Sequence, residues 1–270
     1  MRIEIAGLAI DLQFDDPSRE VWARRRYAAF ETRRRADVAL EVNLFDRLPG
    51  VPRALRGERV GSRIGVLGRG IAADIDLGTR TGVAGLLRSR FGINALLRVV
   101  VALTLLKEGG LLLHSSGVRV GRGAYVFPGR SGAGKSTLAR RFASTDILSD
   151  EVVAVRLHRG RVEACGTPFP GELNGKGRPG WLPLLGLAFL RGPRRPRLEP
   201  LGAADALRRL LACTLGGWAT EADVPRLWKA ASRLVRVASC ADLGFSASES
   251  RRSILSRLAS SSPARPSRMR

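Results

Sequence analysis

Eight consecutive residues of this sequence are suited to holding phosphate: Gly129-Arg130-Ser131-Gly132-Ala133-Gly134-Lys135-Ser136. The run fits the pattern GxxxxGK[ST] at every fixed position, and Thr137 follows it directly. Its glycines allow a tight loop whose amide N–H groups point inward, which makes a concave anion site. A helix beginning at Lys135 would add its positive end. Lys135 is expected to reach the β- and γ-phosphates and the Ser136 hydroxyl to ligate Mg²⁺, so ATP with Mg²⁺ is the expected ligand. The bland alternative is a glycine-rich turn that binds nothing. An apolar strand feeding in (Ala124 to Phe127) and a helix leading out argue against it.

Two acids follow soon after. Fourteen residues (136–149) separate Lys135 from Asp150-Glu151. The helix after the loop, read over Ser136 to Ala143, is therefore short. The strand-like Ile147-Leu148 then brings an acid back beside the phosphate loop. One acid can ligate Mg²⁺ while the other accepts a proton from an incoming hydroxyl, a role worth about 10²–10⁴ in rate. Adjacent strand residues point to opposite faces, so the two acids should not share one job. The plain alternative has Asp150 capping a turn and Glu151 in solvent. His114 stands fifteen positions before Gly129 (129 − 114), at the end of the apolar strand Leu111-Leu112-Leu113. If its strand pairs with the one entering the loop, His114 meets the site, where it could orient an acid or bind the phosphate being transferred. Otherwise it is a satisfied, half-buried histidine.

With these three features together, residues 92 to 245 resemble the C-terminal domain of HPr serine kinase/phosphorylase. The shared signs are the histidine at that spacing, the loop GRSGAGKS, and Ser149-Asp150-Glu151 where the bacterial enzyme has two aspartates. The resemblance implies a PEP-carboxykinase-like P-loop fold that binds ATP and Mg²⁺ and phosphorylates a protein serine. It gives Lys135 the phosphate, Ser136 the metal and His114 an assisting role. The family's proton acceptor falls on Glu151, but glutamate in place of aspartate moves the carboxylate by about one methylene, so Asp150 and Glu151 both stay open as the base. A later metal-binding glutamate of the family has a counterpart in Glu172. The family's phosphorylase signature and its usual N-terminal domain are not recognisable. The chain looks like a divergent relative, similar to HPr-kinase-like proteins whose acceptor is an HPr-like protein or a precursor peptide. Homo-oligomers are common in that family.

The elements that must position these residues read as α/β. Residues 1–90 form a small β-rich region, with alternation over Ile3 to Leu12, Val38 to Leu44, Ile64 to Leu67 and Ile71 to Leu77, and loops near 49–62. Residues 91–248 form the P-loop domain with a mixed sheet. It opens with a buried helix over Gly92 to Lys107 and closes with a helical C-terminal segment, Ala203 to Leu215 and Val224 to Leu234. The Gly/Pro-rich stretch 165–180 is a loop expected to shape the acceptor pocket. Residues 249–270, rich in Ser, Arg and Pro, read as a basic disordered tail.

Composition narrows the classes. The most apolar run, Ile93 to Leu106, is interrupted by Arg98 and is too short for a membrane span. No signal peptide is recognisable, and three scattered cysteines suit a reducing compartment, so a cytoplasmic protein is expected. A net charge of +22 invites nucleic acid, but only four of 46 basic residues are lysines and no nucleic-acid motif is present. Nucleic acid is not the expected partner. The leading expectation is a kinase acting on a serine of a protein or peptide. A small-molecule kinase and a non-catalytic ATP-binding sensor or assembly factor are the alternatives.

Overall fold

The computed structural model describes residues 1–88, 92–173, 175, 177–191, 195–216 and 219–260. Helix α2 (Gly92–Lys107) organises it. This helix is apolar nearly all round, and 13 of its 16 residues are buried. A helix with no polar face must be covered on every side. Here one hydrophobic core joins it to strands before it (Ile10, Leu40, Ile64) and to strands after it (Leu112, Val152, Ala154).

The strands before α2 form one seven-stranded sheet. They are β1 (Arg2–Ile5), β2 (Leu8–Phe14), β3 (Val38–Phe45), β4 (Arg56–Val60), β5 (Arg63–Gly68), β6 (Ile71–Asp76) and β7 (Thr81–Leu87), in the order β1-β2-β3-β7-β6-β5-β4. Helix α1 (Pro17–Tyr27) makes the crossover between the parallel strands β2 and β3. Sequence patterning foresaw neither α1 nor β4 nor β7. Only Ala23 and Tyr27 of α1 are buried, a stripe too thin to register as periodicity. β4 lies within the stretch expected to be a loop. The alternation over Ile3 to Leu12 is broken into a hairpin, because Ala6 and Gly7 both take positive φ.

The second sheet holds β8 (Leu111–Val120), β9 (Gly123–Pro128), β10 (Ile147–Ser149), β11 (Val152–His158), β12 (Arg161–Gly166), β13 (Trp181–Leu190), β14 (Arg197–Pro200) and β15 (Cys240–Gly244). It is mixed: β13 runs parallel to β9 and β15, and the other pairings are antiparallel. The first half of β8 pairs with β11 and its second half with β9, so β8 meets both strands that flank the glycine-rich loop and the acids. Helices α4 (Ala203–Cys213) and α5 (Val224–Val237) pack on this sheet through Leu210, Ala231 and Leu234. The chain is thus α/β with two mixed sheets and several helices.

Two expectations are corrected here. Helix α3 (Lys135–Ala139) spans five residues rather than reaching Ala143. Arg141 and Phe142 donate to carbonyls three residues back, Phe142 turns into the core, and Ala143 is extended. So short a helix adds little dipole. The supposed tail also begins as helix α6 (Arg251–Ser260), which buries Ile254 and Leu258 four residues apart on one face. Arg257 of α6 donates to Arg197 O and Gly244 O, each at 2.9 Å, and pairs with Glu249. The rest of that expectation, residues 261–270, lies outside the described residues. Among the described residues no helix is long and apolar enough to cross a membrane.

Candidate active site

Strand β9 delivers the chain into the loop at Gly129. A Cβ there would come within 2.9 Å of Ala133 Cβ, so the loop closes on itself only with glycine at this point. Gly132 and Gly134 take φ of 78° and 92°, a region that strains other residues. Lys135 follows, 7% exposed, and donates from Nζ to Gly129 O at 3.0 Å and Arg130 O at 3.1 Å. Burial lowers its pKa, and the nearby Glu151 works against that. Among the described residues its only hydrogen-bond partners are these neutral carbonyls, which leaves the ammonium under-compensated and suited to an anion. Beside the loop lies a cleft of about 700 Å³, walled by Leu190, Arg191, Arg208, Arg209 and Cys213. The buried Asp242 holds two of these arginines, Arg191 at 2.9 Å and Arg209 at 3.4 Å.

His114 lies where strand spacing placed it. It pairs with Val152 across β8 and β11, and its carbonyl accepts from Gly129 N at 3.4 Å. The next residue, Ser115, donates its N–H to Glu151 O at 3.0 Å. These backbone links bring the loop, the histidine and the acid to one place. His114 Nε2 is 3.5 Å from Glu151 Oε2, and both side chains are partly exposed, at 26% and 30%. Hydrogen bonding with His114 is the main cause holding the Glu151 carboxyl below its ordinary range, with His114, Arg98 and Lys135 adding attraction.

Asp150 does something else. It is 2% exposed and sits with Glu151 at the corner between β10 and β11. Its two oxygens accept from Gly171 N at 3.3 Å and Leu173 N at 2.6 Å. The carboxylate thus anchors the Gly/Pro-rich loop that faces the site, and turn anchoring is the alternative the geometry favours for it. Glu172, in the same turn, is exposed and near enough to influence Lys135 electrostatically. Among the described residues no group of three or more His, Cys, Asp or Glu side chains gathers as a metal site. Replacing Asp150 with alanine should leave two amides without their charged acceptor. Hydrogen bonds to charged groups are worth about 1.5–3 kcal/mol. The thermal midpoint is expected to fall by roughly 5 °C, read by calorimetry, on a scale of about 2–4 °C per kcal/mol.

Sequence reasoning missed two arginines. Arg26, in the last turn of α1, donates to Pro168 O and, at 3.2 Å, to Gly175 O. The N-terminal region, which showed no obvious chemistry in sequence, therefore buttresses the loop opposite Glu151. Arg98 of α2 makes a cation–π contact with Phe169, its Cζ 5.3 Å from the ring centre. More than 140 residues separate Arg26 from Pro168, and no local spacing could reveal that contact. No family model matches the chain, and no curated protein matches it.

Proposed function

We propose that this chain is an ATP- and Mg²⁺-dependent kinase with a PEP-carboxykinase-like P-loop core, similar to HPr serine kinase. It would transfer the γ-phosphate to a hydroxyl, that of a serine in a protein or peptide. The observation that carries this reading is the convergence of Lys135 and the Glu151–His114 pair on one edge of the second sheet. On ATP binding, Lys135 would exchange its two carbonyl partners for β- and γ-phosphate oxygens, and the amides of residues 129–136 would line the phosphates. Glu151 would take the proton of the acceptor hydroxyl as its oxygen bonds to the γ-phosphorus and the bond to the β-phosphate oxygen breaks, releasing ADP. His114 would hold Glu151 in place. Mg²⁺, when bound, would neutralise charge on the phosphate oxygens. Ser136 and Glu172 suit its coordination better than Asp150, whose oxygens already serve two amides. Three free cysteines, two of them buried, suit the cytoplasmic setting expected for such an enzyme.

Offering γ-labelled ATP with Mg²⁺ and sorting the label between protein, peptide and small-molecule fractions tests the assignment. Label on a serine supports it. Label only on metabolites would move the reading to a small-molecule kinase, and ATP binding with no labelled acceptor would favour a sensor.

The pH profile gives a second check. Glu151 is held below the ordinary range of a glutamate carboxyl, chiefly by its hydrogen bond with His114. The acid limb of kcat that reports Glu151 should therefore lie lower than an ordinary glutamate would place it. In His114→Ala the limb is expected to move up. By the same linkage, the stability contributed by Glu151 is present above its unfolded pKa and is lost as pH falls through the lower folded value.

A further inference from the structure

Among the described residues Arg98 makes no direct ion pair, although Glu151 attracts it at longer range. It is half-buried, and its Nε is buried with no hydrogen-bond partner. Among the described residues no carboxylate comes within ion-pair distance of it. The Arg98 Cζ lies 5.3 Å over the centre of the Phe169 ring, which is itself 1% exposed. Burial lowers the Arg98 pKa, opposed by Glu151 and Tyr27. Tyr27 is engaged through its hydroxyl with Asn94 Oδ1 at 2.8 Å, and Glu151 already faces His114. Arg26 adds a second cation on this side, and its Nε is likewise buried without a partner. Buried charges in proteins are normally paired, because leaving water uncompensated costs free energy. The unpaired cation stands beside the acid assigned to the acceptor hydroxyl, on the side lined by Phe169.

We propose that Arg98, supported by Arg26, forms a subsite for an anionic group carried by the acceptor next to its reactive hydroxyl. Naming that molecule the acceptor rests on the kinase reading. An arginine fork recognises carboxylate or phosphate in two-point fashion. An acidic residue flanking a serine, or the phosphate of a small hydroxy compound, would present the same chemistry.

Calorimetric titration of the full chain separates the sources. The probes are end-blocked Asp-Ser-Asp and Asn-Ser-Asn peptides, and glycerol 3-phosphate against glycerol. At least one acidic probe is expected to bind about tenfold or more tighter than its neutral counterpart, since each tenfold step corresponds to a single good charge-assisted contact. In Arg98→Gln that preference should vanish while MgATP affinity is unchanged. Arg98→Lys, which keeps the charge and loses the fork, should retain part of it. Removing an unpaired cation should leave the thermal midpoint of Arg98→Gln equal or higher. Equal binding of acidic and neutral probes, no binding of either acidic probe at millimolar concentration, or a preference that survives in Arg98→Gln would each overturn the subsite. Acidic preference without phosphate transfer would uphold the subsite and count against the kinase reading. Transfer without acidic preference would do the reverse.

Discussion

Lys135→Ala is expected to abolish phosphoryl transfer while leaving the fold intact. Lys135 is buried, its pKa is lowered by desolvation, and among the described residues its ammonium donates only to the carbonyls of Gly129 and Arg130. Removing it deletes a charge the fold holds at a cost, so the thermal midpoint should not fall. The nucleotide, by contrast, would lose the buried cation of the loop. A single preorganised donor aimed at developing charge is typically worth about 10²–10³ in kcat. A charged donor should sit at or beyond the upper end of that range. The readouts are single-turnover transfer from labelled ATP and a melting curve. A variant that melts early would show that Lys135 instead holds the loop together.

Glu151→Gln is the second large effect. The amide keeps the size of the side chain and can still meet His114, but it cannot accept the acceptor's proton. A loss of about 10²–10⁴ in kcat is expected, or roughly 3–5 kcal/mol of transition-state stabilisation. ATP affinity should change little, because the carboxylate is assigned to the hydroxyl and not to the phosphates. Asp150→Asn makes the useful comparison. Asp150 faces two backbone amides, so its loss should show first in stability and acceptor KM. If Asp150→Asn removes kcat and Glu151→Gln does not, the roles of the two acids are reversed.

Much of the site was legible because its signals are local. The loop, its glycines, the entering strand and Lys135 form one short run, and helix α2 was found with its own bounds because a largely apolar stretch ending at Gly109-Gly110 leaves little choice. The histidine spacing was informative because β8 and β9 form a hairpin, so a fixed number of residues returns the chain to the same edge. The division of labour between Asp150 and Glu151 was not legible. It depends on which way a corner between two strands turns, and on amides more than 20 residues downstream. Helix α6 was hidden by its Ser/Arg composition, since two buried residues, Ile254 and Leu258, carry its packing. Arg26 belongs to a helix that patterning did not show, and Arg98 to one that read as buried scaffold. Only the packing of α1 and α2 against the loop at Pro168 and Phe169 gives them a place near the chemistry.

The central claim is that Lys135 and Glu151 act together in moving a phosphate. Rapid-quench transfer from γ-labelled ATP with Mg²⁺ to a serine-bearing acceptor pool tests it most directly, run on the wild-type chain, Lys135→Ala and Glu151→Gln. Labelled serine from the wild type, none from Lys135→Ala and a hundredfold or greater slowing in Glu151→Gln is the expected result, on the magnitudes above. Undiminished transfer by Lys135→Ala would contradict it.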